Sequence, residues 1–277
     1  MKKIEGKVGL VTGGGSGNGK GIALRMAKDG AKAVIVNDVD GALAEEVARE
    51  IKETYQTEAL PVQADVSSEV EVENMFEEIL KRFGRLDILV HCAGIISVNK
   101  AVEESLEAWD RLFAVNVRGT FLCCRAAARQ MMRQKGGKIL IASSGAGLVG
   151  ITYLSAYSAS KAALIRFGEV LARELGPYGI CVNVFSPGWS PWSKMGWETC
   201  QALAKHLGVD PEEIARLHTR GVPLGREATV EDTANLVSFL YSDEANYITG
   251  QMIVVGGGAT SGRDLVPLSL LQKNEQS

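Results

Sequence analysis

Short apolar runs alternate along this chain with longer stretches in which apolar positions recur every three or four residues. Val8 to Thr12, Ala33 to Asn37, Ala59 to Val62, Leu86 to His91, Gly137 to Ala142, Ile180 to Phe185 and Met252 to Val255 read as strands. Helical patterns cover Gly21 to Lys28, Ala42 to Glu53, Glu69 to Phe83, Leu106 to Val115, Gly119 to Gln134 and Ser155 to Leu175. Several of the strands are almost wholly apolar, as strands must be when helices cover both faces of their sheet. The pattern predicts an α/β fold, a doubly wound parallel sheet in a single domain over residues 1–262.

Two regions break the rhythm. Ser186 to Val222 is long and holds Trp189, Trp192 and Trp197; its part from about 189 to 222 is expected to form a lid, because binding loops lie beyond the carboxyl ends of parallel strands. Residues 263–277 form a tail with an apolar segment, Leu265-Val266-Pro267-Leu268, expected to dock on a neighbouring subunit.

Composition narrows the partners. The chain has 277 residues, 46% hydrophobic and 23% charged, with a net charge of −3. Such a balance offers no basic surface to a nucleic acid. No apolar run approaches the roughly 18 residues of a membrane span, and the basic start at Met1 to Lys7 lacks a secretory leader's core. The five cysteines are odd in number, irregularly spaced and contain no C-x-x-C, which suits a reduced, cytoplasmic setting. His91, His206 and His218 are scattered without a metal-binding spacing, so no metal is expected.

Candidate chemistry sits at two places. Thr12-Gly13-Gly14-Gly15-Ser16-Gly17-Asn18-Gly19-Lys20-Gly21 joins the first strand to the first helix. Glycines let the backbone approach a ligand, and the helix start supplies free N–H groups, so the turn suits a phosphate. Gly14 to Lys20 almost spells the nucleoside-triphosphate loop G-x-x-x-x-G-K, but Gly21 stands where a hydroxyl should hold magnesium. The competing reading is a dinucleotide turn, T-G-x-x-x-G-x-G, on Gly13, Gly17 and Gly19. Asp38, at the end of the second strand, favours the latter, because a carboxylate there accepts both ribose hydroxyls and repels a 2′-phosphate. No Arg or Lys stands within Gly14 to Asn18 or directly after Asp38 to offset that repulsion, so NAD is expected over NADP.

The second place is Tyr157-Ser158-Ala159-Ser160-Lys161. Positions i and i+4 share a helix face at roughly 5–6 Å between Cβ atoms. A free phenol has a pKa of about 10, and a fixed cation beside it favours the phenolate, so the pair is a candidate general acid/base.

These residues, in order, make the chain resemble the short-chain dehydrogenase/reductase family from about Gly6 to Gly258. The motifs are Thr12-Gly13-x-x-x-Gly17-x-Gly19, Asp65-Val66, Cys92-Ala93-Gly94, Asn116, Ser144, Tyr157-x-x-x-Lys161 and Pro187-Gly188. The resemblance implies a Rossmann-like sheet of seven strands and hydride transfer between NAD and an alcohol or ketone. It implies Tyr157 as general acid/base, Lys161 on the nicotinamide ribose, Ser144 on the substrate oxygen and Asn116 holding a water of a proton relay. It also puts Asp65 and Val66 at the adenine, Ser16 and Asn18 in the glycine turn, and Cys92, Ala93, Gly94, Pro187 and Gly188 along the cofactor. The chain departs from the family pattern at His91-Cys92, where the family has Asn-Asn, and at Asn18, which replaces a common Ile. It departs again at Gly256, which replaces a frequent Asp, and at Trp192, which leaves Ser190 or Ser193 to bond the carboxamide. The stretch from Met195-Gly196-Trp197 to Pro223-Leu224-Gly225-Arg226 is similar to members acting on polyols, diols or hydroxyketones, with Ser97, Asn99 and Ser155 as candidate hydrogen-bonding residues. Family members are usually homotetramers or homodimers, packing the helices near Arg118 to Met132 and Ser158 to Leu175. A non-catalytic dinucleotide sensor is the remaining alternative.

Overall fold

The structure, a computed structural model, describes residues 2–259; the tail at 263–277 lies outside the described residues. Seven strands, β1 Val8–Thr12, β2 Ala33–Asp38, β3 Glu58–Gln63, β4 Ile88–His91, β5 Gly137–Ala142, β6 Ile180–Ser186 and β7 Met252–Val254, form one sheet in the order β3-β2-β1-β4-β5-β6-β7. Every pairing is parallel. The chain therefore winds outward in one direction from β1 and in the other from β4, and the crevice between those two strands is the place where such sheets take ligands.

Side chains alternate across the sheet and feed two cores. One face contributes Leu10, Leu89, Ile139 and Ile141 to a cluster closed by α3 Glu69–Phe83, α5 Thr120–Gln134 and α6 Ser155–Leu175. The other contributes Val11, Val36, Val90 and Leu140 to a cluster closed by α1 Gly17–Lys28, α2 Gly41–Tyr55 and α9 Val230–Tyr241. A slip of one residue in any central strand would exchange the two sets, so the register is fixed by both.

The helices differ from the sequence pattern in three ways. α1 starts at Gly17, four positions before the expected Gly21, because the last glycines of the turn already form its first turn. The expected break after Val115 is a π-helical turn, Ala114–Gly119, which joins α4 Leu106–Phe113 to α5 without interruption. α9 was not predicted; its start carries a reciprocal cap between Thr229 and Asp232. The lid consists of α7 Lys194–Leu207 and α8 Pro211–Arg220, with a small core of its own around Cys200, Leu203 and Ile214. Among the described residues no helix is long and apolar enough to cross a membrane, and no group of side chains could hold a metal ion.

Candidate active site

The carboxyl ends of the strands open into one cleft of about 830 Å³. Its first end is the glycine turn. Gly13 has φ +62, and a Cβ there would lie 2.8 Å from the Ala93 nitrogen; a Cβ on Gly19 would lie 2.0 Å from the Gly13 oxygen. The turn after β1 thus folds tightly over the turn after β4, and only glycine fits. The Ser16 side chain does not cap α1, leaving the N–H groups of the first turn to face the cleft. Ser16, Gly17 and Asn18 line it as well.

The nucleoside-triphosphate alternative fails on geometry. Lys20 Nζ reaches back to Glu46 and Glu50 on α2, at 3.5 and 2.9 Å. A Cβ on Gly21 would lie 1.9 Å from Val230 Cγ1, so this glycine lets α1 and α9 touch and does not serve a ligand.

Beyond the turn, Asp38 closes β2. Its Oδ2 accepts a hydrogen bond from the Gly15 N–H at 3.0 Å and its Oδ1 one from the Asp40 N–H at 3.1 Å. No cation among the described residues pairs with it. Asp65 and Val66 line the same end, and Arg111, which the sequence pattern did not single out, holds Asp65 Oδ2 at 3.2 Å. Burial pushes the Asp65 carboxyl up, but Ser67 and Arg111 outweigh it and hold its pKa below the usual value.

Ser144, Tyr157 and Lys161 meet on the floor, positioned by β5 and α6. Ser144 hydrogen-bonds the Tyr157 phenol and accepts from the Ala146 N–H at 3.2 Å. Lys161 is buried, donates to the Ala142 carbonyl at 3.0 Å, and holds its ammonium 5.7 Å from the centre of the Tyr157 ring. Burial lowers the Lys161 pKa to about 8. Burial also raises the Tyr157 pKa, with Ser144 pulling the other way. The expectation that Lys161 by itself draws the phenol down is therefore corrected: desolvation dominates, and the phenol is held protonated.

Asn116 lies behind this floor and does not line the cleft. Its side chain clamps the Ile95 backbone, accepting from the N–H at 2.8 Å and donating to the carbonyl at 2.9 Å, and it donates to Ser160 Oγ at 3.1 Å. In the π-helical turn its own carbonyl accepts from Thr120 Oγ1. Its side chain braces the loop that carries Gly94 and Ile95 across Lys161.

Cys92, Ala93, Gly94, Pro187, Gly188 and Ser190 all line the cleft. His91 performs a bridging role where the family has Asn: its Nδ1 lies 2.9 Å from Thr12 Oγ1, tying the ends of β4 and β1 together, and Thr12 also accepts from the Ala93 N–H. Burial, with the charge of Lys161, pushes the His91 pKa down to about 3, so the ring is neutral. Cys92, pushed up to about 12 by burial, stays a thiol.

Other expectations are corrected. Ser97 bonds Glu104, Asn99 bonds the Glu103 carbonyl, and Ser155 opens α6; none of the three lines the cleft. Trp192 stacks on Trp197 and donates to Glu227 at 2.7 Å, outside the lining. Ser193 spends its hydroxyl on the Ser190 carbonyl while capping α7, which leaves Ser190 with the free hydroxyl. The wall around Ser144 and Tyr157 is instead apolar, built from Ile95, Val149, Ile151, Leu154, Trp189 and Met195.

Comparison with known proteins agrees with this geometry. The model of the family described as Enoyl-(Acyl carrier protein) reductase matches residues 13–260. A short-chain dehydrogenase/reductase of Armillaria gallica is 41% identical over 256 residues, 92% of this chain and 96% of that protein. A 3-oxoacyl-acyl-carrier-protein reductase of Aquifex aeolicus is 38% identical over 256 residues, 92% of this chain and 98% of that protein. The crystal structure of sorbitol-6-phosphate 2-dehydrogenase from Erwinia amylovora superimposes with a TM-score of 0.86 at 32% identity, covering 91% of this chain and 98% of that one.

Proposed function

The chain belongs to the short-chain dehydrogenase/reductase family of nicotinamide-dependent oxidoreductases, and we propose that it transfers hydride between NAD and a secondary alcohol or ketone. The observation that carries this reading is a single cleft with an unpaired carboxylate, Asp38, at one end and the Ser144–Tyr157–Lys161 cluster at the other.

The residues fit the dinucleotide. Gly13 and Gly19 leave backbone where a side chain would otherwise fill the turn, and the uncapped start of α1 faces the cleft. Asp38 would hold the adenosine ribose, with Asp65 and Val66 beside the adenine. Lys161, with donors left after Ala142, would hold the nicotinamide ribose. Ser190 and the Pro187–Gly188 turn would meet the carboxamide. The bound cofactor supplies the hydride acceptor or donor and, when oxidised, a positive charge beside the phenol.

The chain's own groups then manage the proton. In ketone reduction the protonated phenol of Tyr157 donates to the substrate oxygen, which Ser144 orients. In alcohol oxidation the phenolate must accept, a state that the positive charge of the oxidised cofactor, together with the ammonium of Lys161, would favour. Asn116 acts as a positioning residue through the Ile95 loop. The three-residue set is complete, which favours an enzyme over a non-catalytic sensor.

Exposed Phe121 and Val170 lie on α5 and α6, and a shallow groove there is lined by Phe113, Val117, Phe121, Leu164 and Phe167. This face is where a second copy would pack, giving a homodimer or homotetramer.

The test is NADH formation from NAD, with NADP in parallel, across a panel of secondary, cyclic and polyhydroxylated alcohols. Turnover with NAD supports the assignment; turnover confined to NADP would overturn the role given to Asp38. Tyr157→Phe should keep NADH binding and lose turnover by about 10²–10⁴-fold.

A further inference from the structure

The lid places one side chain over the cleft whose chemistry the hydride-transfer reading leaves unused. His218, on α8, lines the cleft and meets Trp189 edge to face at 4.2 Å between ring centres. It is half-buried, and neither ring nitrogen has a hydrogen-bond partner among the described residues. Ser190 keeps its hydroxyl for the cofactor and Lys194 is exposed, whereas three other polar side chains near the lid are engaged within the protein. Ser193 donates to the Ser190 carbonyl, Thr199 to the Met195 carbonyl at 2.7 Å, and Glu227 accepts from Thr219 and Trp192. Burial lowers the His218 pKa to about 4, so the ring is neutral, with one donor and one acceptor nitrogen.

The half-buried ring, with the Glu227 carboxylate near enough to oppose the effect of burial, keeps its hydrogen-bonding capacity for a ligand in the cleft. The cleft that holds His218 and the Ser144–Tyr157 pair is also lined by Val149, Ile151, Leu154, Trp189 and Leu217, apolar groups that suit a carbon frame. Resting on the hydride-transfer reading above, we propose that the substrate is a ketone or secondary alcohol with an apolar carbon frame and a second oxygen remote from the reacting carbon, and that His218 selects it by hydrogen-bonding that oxygen.

The test pairs cyclic monoketones of one and two rings with the corresponding diketones and hydroxyketones. Steady-state NADH oxidation gives kcat and KM, and calorimetry gives binding to the NADH complex. The native enzyme is expected to favour the two-oxygen member by about tenfold in kcat/KM, since one hydrogen bond in a half-buried site is at stake. His218→Leu should erase that preference by raising KM for the two-oxygen member, with kcat and the monoketone little changed. His218→Asn, which keeps a donor and an acceptor, should restore part of it. Equal treatment of the two members by the native enzyme, equal loss on both in His218→Leu, or binding of neither would overturn the proposal. Turnover of monoketones by native protein and both variants would leave the hydride-transfer reading standing even then, so the two failures are distinguishable.

Discussion

Replacing Lys161 by Met should make the protein more stable while disabling it. Met is close to Lys in length and carries no charge, so it fills the same buried channel beside Tyr157. The fall of the Lys161 pKa from 10.5 to about 8, caused by burial, corresponds to roughly 3 kcal/mol of penalty on the charged form. Against this stands the lost hydrogen bond to the Ala142 carbonyl, which costs about 1 kcal/mol. The net gain is roughly 2 kcal/mol, or about 4–8 °C in Tm for a domain of this size. Its pH dependence has a definite sign. A lysine whose folded pKa is depressed destabilises the fold fully below the folded value of about 8, and the penalty disappears between there and the unfolded value of 10.5. The advantage of Lys161→Met should therefore be constant below about pH 8 and vanish as the pH approaches 10.5. Urea or thermal unfolding of both proteins from neutral to alkaline pH reads this directly. A variant less stable than the native chain at pH 7, or a gain that does not shrink in alkali, would refute the reasoning. Loss of turnover with retained stability would place Lys161 among residues kept for function at the expense of the fold.

Three further outcomes follow from other parts of the molecule. Asp29 is buried and accepts hydrogen bonds from Tyr241 at 2.6 Å, from Ser238 and from Arg25; burial pushes its pKa up, but those bonds outweigh it and hold it below 3.8. Its contribution is present above the unfolded value and lost as the pH falls through the depressed folded value, so Asp29→Asn should cost about 2 kcal/mol near neutrality and converge with the native chain in acid, as followed by urea unfolding. Gly19→Ala puts a Cβ 2.0 Å from the Gly13 oxygen, and fluorescence titration should show NADH affinity reduced at least about tenfold with the far-UV spectrum unchanged; undiminished affinity would remove this turn from the cofactor site. Phe121→Glu places a charge in the α5–α6 groove, and light scattering should show the assembly shifting toward monomer; an unchanged mass would move the interface elsewhere.

The strands were legible because burial on both sides demands unbroken apolar runs; the glycine turn and the Tyr157–Lys161 pair, which is ordinary on a helix by itself, stood out only through their order along the chain, and the structure brings both to one cleft. What escaped had physical causes. The π-helical turn at Ala114–Gly119 carries Asn116, whose side chain satisfies the Ile95 backbone, a contact between distant segments that periodicity does not encode. The start of α9 was signalled by Thr229 and Asp232, but the β-branched Val230 and Thr233 lower the helix preference of its opening turn. Ser97 and Asn99 looked available for a polyhydroxylated substrate, yet the loop folds them onto Glu104 and Glu103. The apolar wall was unreadable because four separated segments, at Ile95, Val149 to Leu154, Trp189 to Met195 and Leu217, build it together. The Tyr157–Lys161 spacing suggested a phenol drawn down by its cation, whereas burial of both groups opposes the phenolate, and their sequence neighbours reveal nothing of that burial.

Hydride transfer itself is tested most directly with an isotope. A secondary alcohol found active in the panel, deuterated at its carbinol carbon, is turned over with NAD, and the reduced cofactor is analysed by mass spectrometry. The account predicts one deuterium in each NADH formed by the native enzyme and no such product from Tyr157→Phe at comparable time. NADH that carries no deuterium, or labelled NADH formed equally fast by the variant, would contradict it.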